Sequence, residues 1–324
     1  MILSADYKGI WHITDTLGKK DKDFMNIIGR EREKEIITKC LESKRPEFLI
    51  VYGRRRVGKT YLIREYFHER FSFYTTGIPD AKTRNQLKAF GESLTYYGDE
   101  TKVIPKDWFE AFRRLRKILE SEDVYRDASG GKKVVFIDEV PWMDTARSDF
   151  KSAFDYFWNS WGSSQEDLLL IVCGSATSWI ISNILNDKGG FHNRITRQIH
   201  INPFTLGECK QFYNENEFSI NRDQMIESYM IFGGIPYYLN LLDNRLSPAQ
   251  NVDNLIFNER GDLHLNMTGS LNLCLKKRTT MSRSLKRLRV RKEDFNELKL
   301  QKNRVFRMVK DSPRHFVSWS SVAL

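Results

Sequence analysis

Residues 51–61, VYGRRRVGKTY, constrain this chain more than any other stretch. The apolar run FLIVY at 48–52 reads as a buried strand, and TYLIREYFHER after the glycines reads as a helix. Between them, residues 53–60 fit G-x-x-x-x-G-K-[ST], a loop whose backbone N–H groups wrap phosphates at a helix N-terminus. That spacing assigns Lys59 to the β and γ phosphates of a nucleotide and the Thr60 hydroxyl to Mg²⁺. The candidate nucleotide-contacting run is Gly53, Arg54, Arg55, Arg56, Val57, Gly58, Lys59, Thr60 and Tyr61. For the three arginines two readings stand: positive potential for an anion, or loop charges facing solvent.

A phosphate loop needs a metal partner, and KKVVFIDEVPWMD supplies a second apolar strand ending in Asp138 and Glu139. Asp138 is the candidate for the Mg²⁺ shell. Glu139 is expected to point differently because strand side chains alternate, which suits it to orient and deprotonate an attacking water, a contribution of about 10²- to 10⁴-fold. A third strand, 168–173, runs into Gly174 and Ser175, at the carboxyl edge where parallel sheets bind ligands. Ser175 reads either as a sensor of the γ-phosphate or water, a role open to Thr177 as well, or as a cap for SWIISNIL. Arg194 and Arg197 precede a strand at 198–201, and Arg194 is the candidate arginine finger.

Strands at 48–52, about 71–75, 134–138, 168–173 and 197–201 alternate with helical stretches, which predicts an α/β fold with a parallel sheet covered on both faces. Phe150, Ala153, Phe154, Phe157, Trp158 and Trp161 mark one face of a helix, as do Trp108, Phe112, Leu115 and Leu119. Both stripes are expected in the core against the sheet.

A length of 324 residues suits about two domains. The four cysteines show no paired spacing, and no apolar stretch approaches the ~20 residues of a membrane helix, so a cytoplasmic protein without a membrane partner is expected. The net charge of +10 is local. Residues 267–324 hold 15 Lys or Arg against four Asp or Glu, leaving 37 basic and 38 acidic residues in the body. A near-neutral body does not support nucleic acid as the partner, and the run Arg113, Arg114, Arg116 and Lys117 reads as a solvated face.

The motifs IIGREREKEI, VYGRRRVGKT, VVFIDEVPWM, CGSATSW, RITRQIHINPFT and GGIPYYL together resemble the archaeal-type P-loop ATPases, related to the AAA+ and STAND groups, over about residues 27–266. The resemblance implies a P-loop NTPase of the additional-strand (ASCE) type at 25–205 with five parallel strands, then a small helical lid at 206–266. It places Ile28, Gly29 and Arg30 near the adenine and GGIPYYL in the lid, with no catalytic part for the latter. Such proteins usually continue into a winged-helix segment, and this chain departs from that pattern. Its basic tail, 267–324, reads either as a surface for nucleic acid or membrane or, the preferred reading, as a winged-helix remnant translated out of frame. Residues 1–24 are expected to be a flexible extension.

These residues point to Mg²⁺-dependent ATP hydrolysis that moves the lid as a switch for a protein partner or effector. The rival is an ATP-regulated nucleic-acid-binding protein of the loader or transposition type. Salt-dependent DNA binding by the body alone would favour it. A small-molecule kinase is disfavoured by the paired Asp138 and Glu139, because a water-directing carboxylate suits hydrolysis.

Overall fold

The computed structural model describes residues 27–129, 131–175, 177–185 and 194–264. The expectations for residues 1–24 and for the tail at 267–324, its reading frame included, lie outside the described residues. Five strands form one parallel sheet: β1 (Glu47–Tyr52), β2 (Phe73–Thr76), β3 (Lys133–Asp138), β4 (Leu168–Gly174) and β5 (Arg197–His200), in the order β2-β3-β4-β1-β5. β4 thus lies between the strand that feeds the glycine loop and the strand that carries the acids. This is the additional-strand arrangement that the resemblance implies. β2 begins two residues later than its apolar pattern suggests. At Ser72 the side-chain hydroxyl, rather than the main chain, accepts the N–H of Val134 (2.8 Å), so the regular ladder starts at Phe73.

Helices cover both faces, which is why the strands read as unbroken apolar runs. On one face Leu49, Val51, Phe136, Ile171 and Ile199 pack under α1 (Glu31–Glu42) and α2 (Lys59–Tyr66). On the other, Phe48, Ile50, Phe73, Val135 and Leu170 pack under α3 (Thr83–Tyr96), α4 (Trp108–Leu119) and α5 (Phe150–Ser160). Both expected stripes are core. The Phe112 ring stacks on Phe154 at 5.5 Å and Phe157 at 5.3 Å, and Trp108 meets Phe150 edge-on at 4.8 Å. Burying each such ring contributes about 1.5–3 kcal/mol.

Within the basic run of α4 the structure corrects the sequence reading. Arg113, Arg116 and Lys117 are exposed, but Arg114 is buried, and its guanidinium donates to Asp99 Oδ2 (2.6 Å) and to the carbonyls of Val103 (2.7 Å) and Thr101 (2.5 Å). It pins the loop from α3 to α4 by holding one carboxylate and two main-chain carbonyls of that loop at once.

After β5 comes a small helical unit, in the position expected for the lid and called so below, with its own core of Cys209, Phe212, Tyr213, Phe232, Leu239 and Leu255. It contains α7 (Leu206–Glu215), α8 (Arg222–Phe232), α9 (Pro236–Leu239) and α10 (Pro248–Val252), with α6 (Thr177–Ile180) preceding β5. Helices this short are marginal alone. Capping boxes begin three of them, Thr205 with Glu208, Asn221 with Gln224 and Ser247 with Gln250, each cap being worth ~1 kcal/mol. Among the described residues no helix is long and apolar enough to cross a membrane.

Replacing Arg114 with Met leaves the Asp99 carboxylate and two carbonyls without their donor. The expected loss in chemical denaturation is about 3–5 kcal/mol, against under ~0.5 kcal/mol for Arg113→Met on the exposed face.

Candidate nucleotide site

β1 leaves the sheet at Tyr52 and the chain passes through Gly53, which has φ 150°; a Cβ there would fall 2.3 Å from the Ile201 carbonyl oxygen. Only glycine lets the loop leave β1 this close to the segment after β5. The loop closes at Gly58, the N-cap of α2, where the first helical amides have no intrahelical acceptor. Lys59, 5% exposed, arches back and donates from Nζ to the Arg54 carbonyl at 2.8 Å. Its ammonium is therefore held inside the loop.

Thr60 Oγ1 donates to Asp138 Oδ2 at 2.8 Å, joining the loop helix to the acidic strand. The other Asp138 oxygen accepts the Glu139 N–H (2.9 Å). Cys173 lies beside Asp138, and burial together with that carboxylate pushes its thiol well above the ordinary value. The donors here are a hydroxyl and a carboxylate, hard oxygens that fit Mg²⁺.

Glu139 corrects the expectation that strand alternation sets its direction. β3 ends at Asp138, and Glu139 turns left-handed (φ 47°, ψ 42°) to open a 3₁₀ turn, Val140–Trp142. The turn, not the pleat, aims its side chain. Glu139 Oε2 accepts from the Ser175 hydroxyl (3.0 Å) and N–H (3.3 Å). Ser175 thus engages the acid, while α6 starts at Thr177, whose side chain lies outside the described residues.

A cleft of about 440 Å³ opens between these elements, lined by Arg55, Arg56, Gly58, Lys59, Thr60, Tyr61 and Glu139 and, opposite the loop, by Pro79, Asp80 and Trp142. Those last three escaped the sequence reading. They follow β2 and β3, so the carboxyl-edge rule applied to β2 as well would have found the pair after Gly77. Gly53, Arg54 and Val57 shape the loop without lining the cleft; Val57 is buried in the core. Arg194 pairs with Asp155 of α5 at 3.1 Å and does not line the cleft.

Ile28, Gly29 and Arg30 gather beneath the loop at the lid junction. Ile28 packs on the lid core, a Cβ on Gly29 would fall 2.7 Å from Glu208 Cγ, and Arg30 donates from Nη2 to the Val57 carbonyl (3.2 Å). The Arg30 N–H donates to Glu208 Oε1 (3.3 Å), and its guanidinium lies 4.8 Å from the Phe204 ring centre. Burial pushes this guanidinium's pKa down, countered by the charges of Glu208 and Glu33.

GGIPYYL makes the opposite contact, from above. α8 ends at Gly233; Gly234, at φ 66°, accepts the Phe204 N–H (2.7 Å), and Pro236 opens α9. The motif presents two tyrosines to the loop: the Arg56 guanidinium lies 4.8 Å from the Tyr237 ring centre and 5.6 Å from that of Tyr238, and donates to the Tyr238 hydroxyl at 3.1 Å.

The profile of an ATPase domain predominantly from Archaea matches residues 27–242. The chain belongs to that family. The matched segment is an ATPase domain, and it takes in both the cleft and the tyrosine motif. An uncharacterized protein of Methanocaldococcus jannaschii is 25% identical over 212 residues, 65% of this chain and 43% of the relative, so the chain spans less than half of that protein. The Walker-type ATPase of Pyrococcus abyssi superposes with a TM-score of 0.50 at 18% identity, covering 94% of this chain and 91% of its own. The Aeropyrum pernix ORC2 protein, solved as ADPNP–ADP complexes, gives 0.51 at 12% identity, covering 87% of each chain. Both show the P-loop ATPase fold.

A Cβ added to Gly234 would fall 2.2 Å from the Phe204 carbonyl oxygen, on a backbone already left-handed. Gly234→Ala in this ATPase domain is expected to cost about 1–3 kcal/mol and to expose the lid junction to limited proteolysis before the sheet unfolds.

Proposed function

We propose that this ATPase domain binds Mg²⁺ and ATP in the cleft, hydrolyses the γ-phosphate and uses the cycle to move the lid, as a switch for a protein partner or effector. The observation that carries this reading is Arg56, a residue of the phosphate loop whose guanidinium is held by two lid tyrosines. A change in what the loop holds is then a change in what the lid rests on.

In this reading the loop amides and Lys59 hold the triphosphate, and Arg30 supports the loop from below through the Val57 carbonyl. Thr60 and Asp138 would hold Mg²⁺, which when bound supplies charge that neutralises the β and γ oxygens. Glu139 orients a water; as its oxygen bonds to the γ-phosphorus, the bond to the bridging oxygen breaks, ADP leaves, and Glu139 receives the water's proton. Ser175 fixes the Glu139 carboxylate through its hydroxyl and N–H. Arg194, paired with Asp155, would serve as a finger only after leaving that partner.

Calorimetry and phosphate release separate these roles. Lys59→Ala is expected to weaken ATP binding about 10- to 100-fold, the worth of a charge-assisted hydrogen bond. Glu139→Gln keeps ATP binding within a few-fold and loses about 10²- to 10⁴-fold in turnover; turnover equal to wild type removes Glu139 from its role.

The switch has its own test. In Arg56→Ala, hydrogen exchange at residues 237–239 of the apoprotein should quicken several-fold, matching the ~0.5–1 kcal/mol of an exposed cation–π contact, and its response to nucleotide should disappear. An unchanged response in this variant would remove the Arg56 side chain as the link between loop and lid, leaving only the main-chain bond from the Tyr237 N–H to the Arg56 carbonyl (3.4 Å).

A further inference from the structure

Arg55 and Trp142 face each other across the cleft, and Arg55 has so far been read only as a general contributor of positive charge to the loop. The guanidinium lies 5.7 Å from the indole centre, and both side chains line the cleft beside Glu139. The neighbouring arginines are engaged elsewhere. Arg56 is held by the lid, Arg30 lies beneath the loop, Arg194 pairs with Asp155, and Arg54 does not line the cleft. Among the described residues no carboxylate forms an ion pair with Arg55.

The indole is a fixed platform on the acid side of the cleft. Trp142 closes the 3₁₀ turn that Glu139 opens, donating its N–H to the Glu139 carbonyl at 3.0 Å. Buried Gln86 holds the turn from behind: its Nε2 donates to the Trp142 carbonyl (2.8 Å) and the Ile78 carbonyl (2.7 Å), and its Oε1 accepts the Ile78 N–H (3.0 Å). One side chain thus ties the turn after β3 to the turn after β2.

We infer that Arg55 is a catalytic residue of the hydrolysis, parked on Trp142 in the nucleotide-free site and transferred to the γ-phosphate oxygens when ATP is bound. The magnitudes favour transfer: an exposed cation–π contact is worth ~0.5–1 kcal/mol, a charge-assisted hydrogen bond ~1.5–3 kcal/mol. With Glu139 three residues before the platform, the charge arrives on the side where water is directed. ADP offers no γ oxygens, so with ADP the guanidinium stays on the indole. The site carries within its own phosphate loop the positive charge that an arginine finger would otherwise bring. This inference rests on the hydrolytic reading of the cleft.

Tryptophan emission and single-turnover hydrolysis test it in the full chain. In Glu139→Gln, Mg²⁺ with ATP should change the emission, Mg²⁺ with ADP should leave it near the nucleotide-free value, and the ATP signal should vanish when either Trp142→Phe or Arg55→Ala is added. Arg55→Ala alone should lose about 10²- to 10³-fold in the hydrolysis rate at saturating ATP, with the Kd for ATP weakened about 5- to 30-fold and the Kd for ADP shifted by less than about threefold. Arg55→Lys, which keeps the charge and the loop's fold, should recover part of that rate. An Arg55→Ala rate within about threefold of wild type while Glu139→Gln is inactive overturns the role of Arg55 alone. An emission change that ADP produces equally, or that survives Trp142→Phe, overturns the transfer. Full activity in Glu139→Gln removes the hydrolytic reading and this inference with it.

Discussion

The contact on which the site depends is the 2.8 Å hydrogen bond from Thr60 to Asp138, because Thr60 lies in the first turn of the helix fed by β1 while Asp138 ends β3, and these strands are not neighbours. β1 and β3 flank β4, so their axes stand about 9–10 Å apart, twice the usual strand spacing. The loop after β1 has to lean over the end of β4 to reach the acid. That end is built from Cys173 and Gly174, and even a methyl group on Gly174 would meet Pro141 at 2.7 Å. Glycine at the end of β4 therefore makes room for the turn that follows the two acids, and buried Cys173 lies beside Asp138.

The same economy of space explains the lid. Its junction with the sheet is made of close approaches at glycines: Gly53 against the Ile201 backbone, Gly29 against the Glu208 side chain and Gly234 against the Phe204 backbone. Arg30 gathers three of these parts, touching the loop through Val57, the lid through Glu208 and the connecting segment through the Phe204 ring. The underside of the loop is thus bound by buried contacts, while its upper side meets the lid through exposed aromatic contacts with Arg56. A firm hinge below and a weak clasp above make the clasp the part that yields.

Much of this was legible in the sequence. The two glycines and Lys59 mark a strand-loop-helix unit by their spacing, and Lys59 finds its partner, the Arg54 carbonyl, five residues away, although the Ile201 carbonyl that requires Gly53 lies far along the chain. Period-3.6 stripes gave α4 and α5, and unbroken apolar runs gave the strands that are buried on both faces. What escaped reading depends on distant partners. Arg114 looks like its exposed neighbours until the loop carrying Asp99, Thr101 and Val103 folds onto it. Arg56 and Tyr238 are separated by 182 residues, and nothing local to either announces the other. Glu139 was assigned by a strand rule that stopped applying one residue earlier, at the end of β3.

Three consecutive arginines would be a poor loop if their charges stayed together, since like charges at 4 Å cost ~1 kcal/mol in water and ~4 kcal/mol at an effective dielectric of 20. The loop parts them: Arg56 turns left-handed at φ 70° toward the lid tyrosines, Arg55 crosses to Trp142, and Arg54 supplies the carbonyl that holds Lys59. Both aromatic holds are weak, and each stands beside a place where a phosphate anion would bind more strongly. A ligand shifts a conformational equilibrium only by its difference in affinity for the two states. Exchanging one aromatic contact for one phosphate contact yields about 1–2 kcal/mol, or a population shift of about 5- to 30-fold. In the proposed switch, a lid clasped through Arg56 would respond to nucleotide by a graded change in population, and a full reversal between two states would need a further interaction, such as a partner could supply.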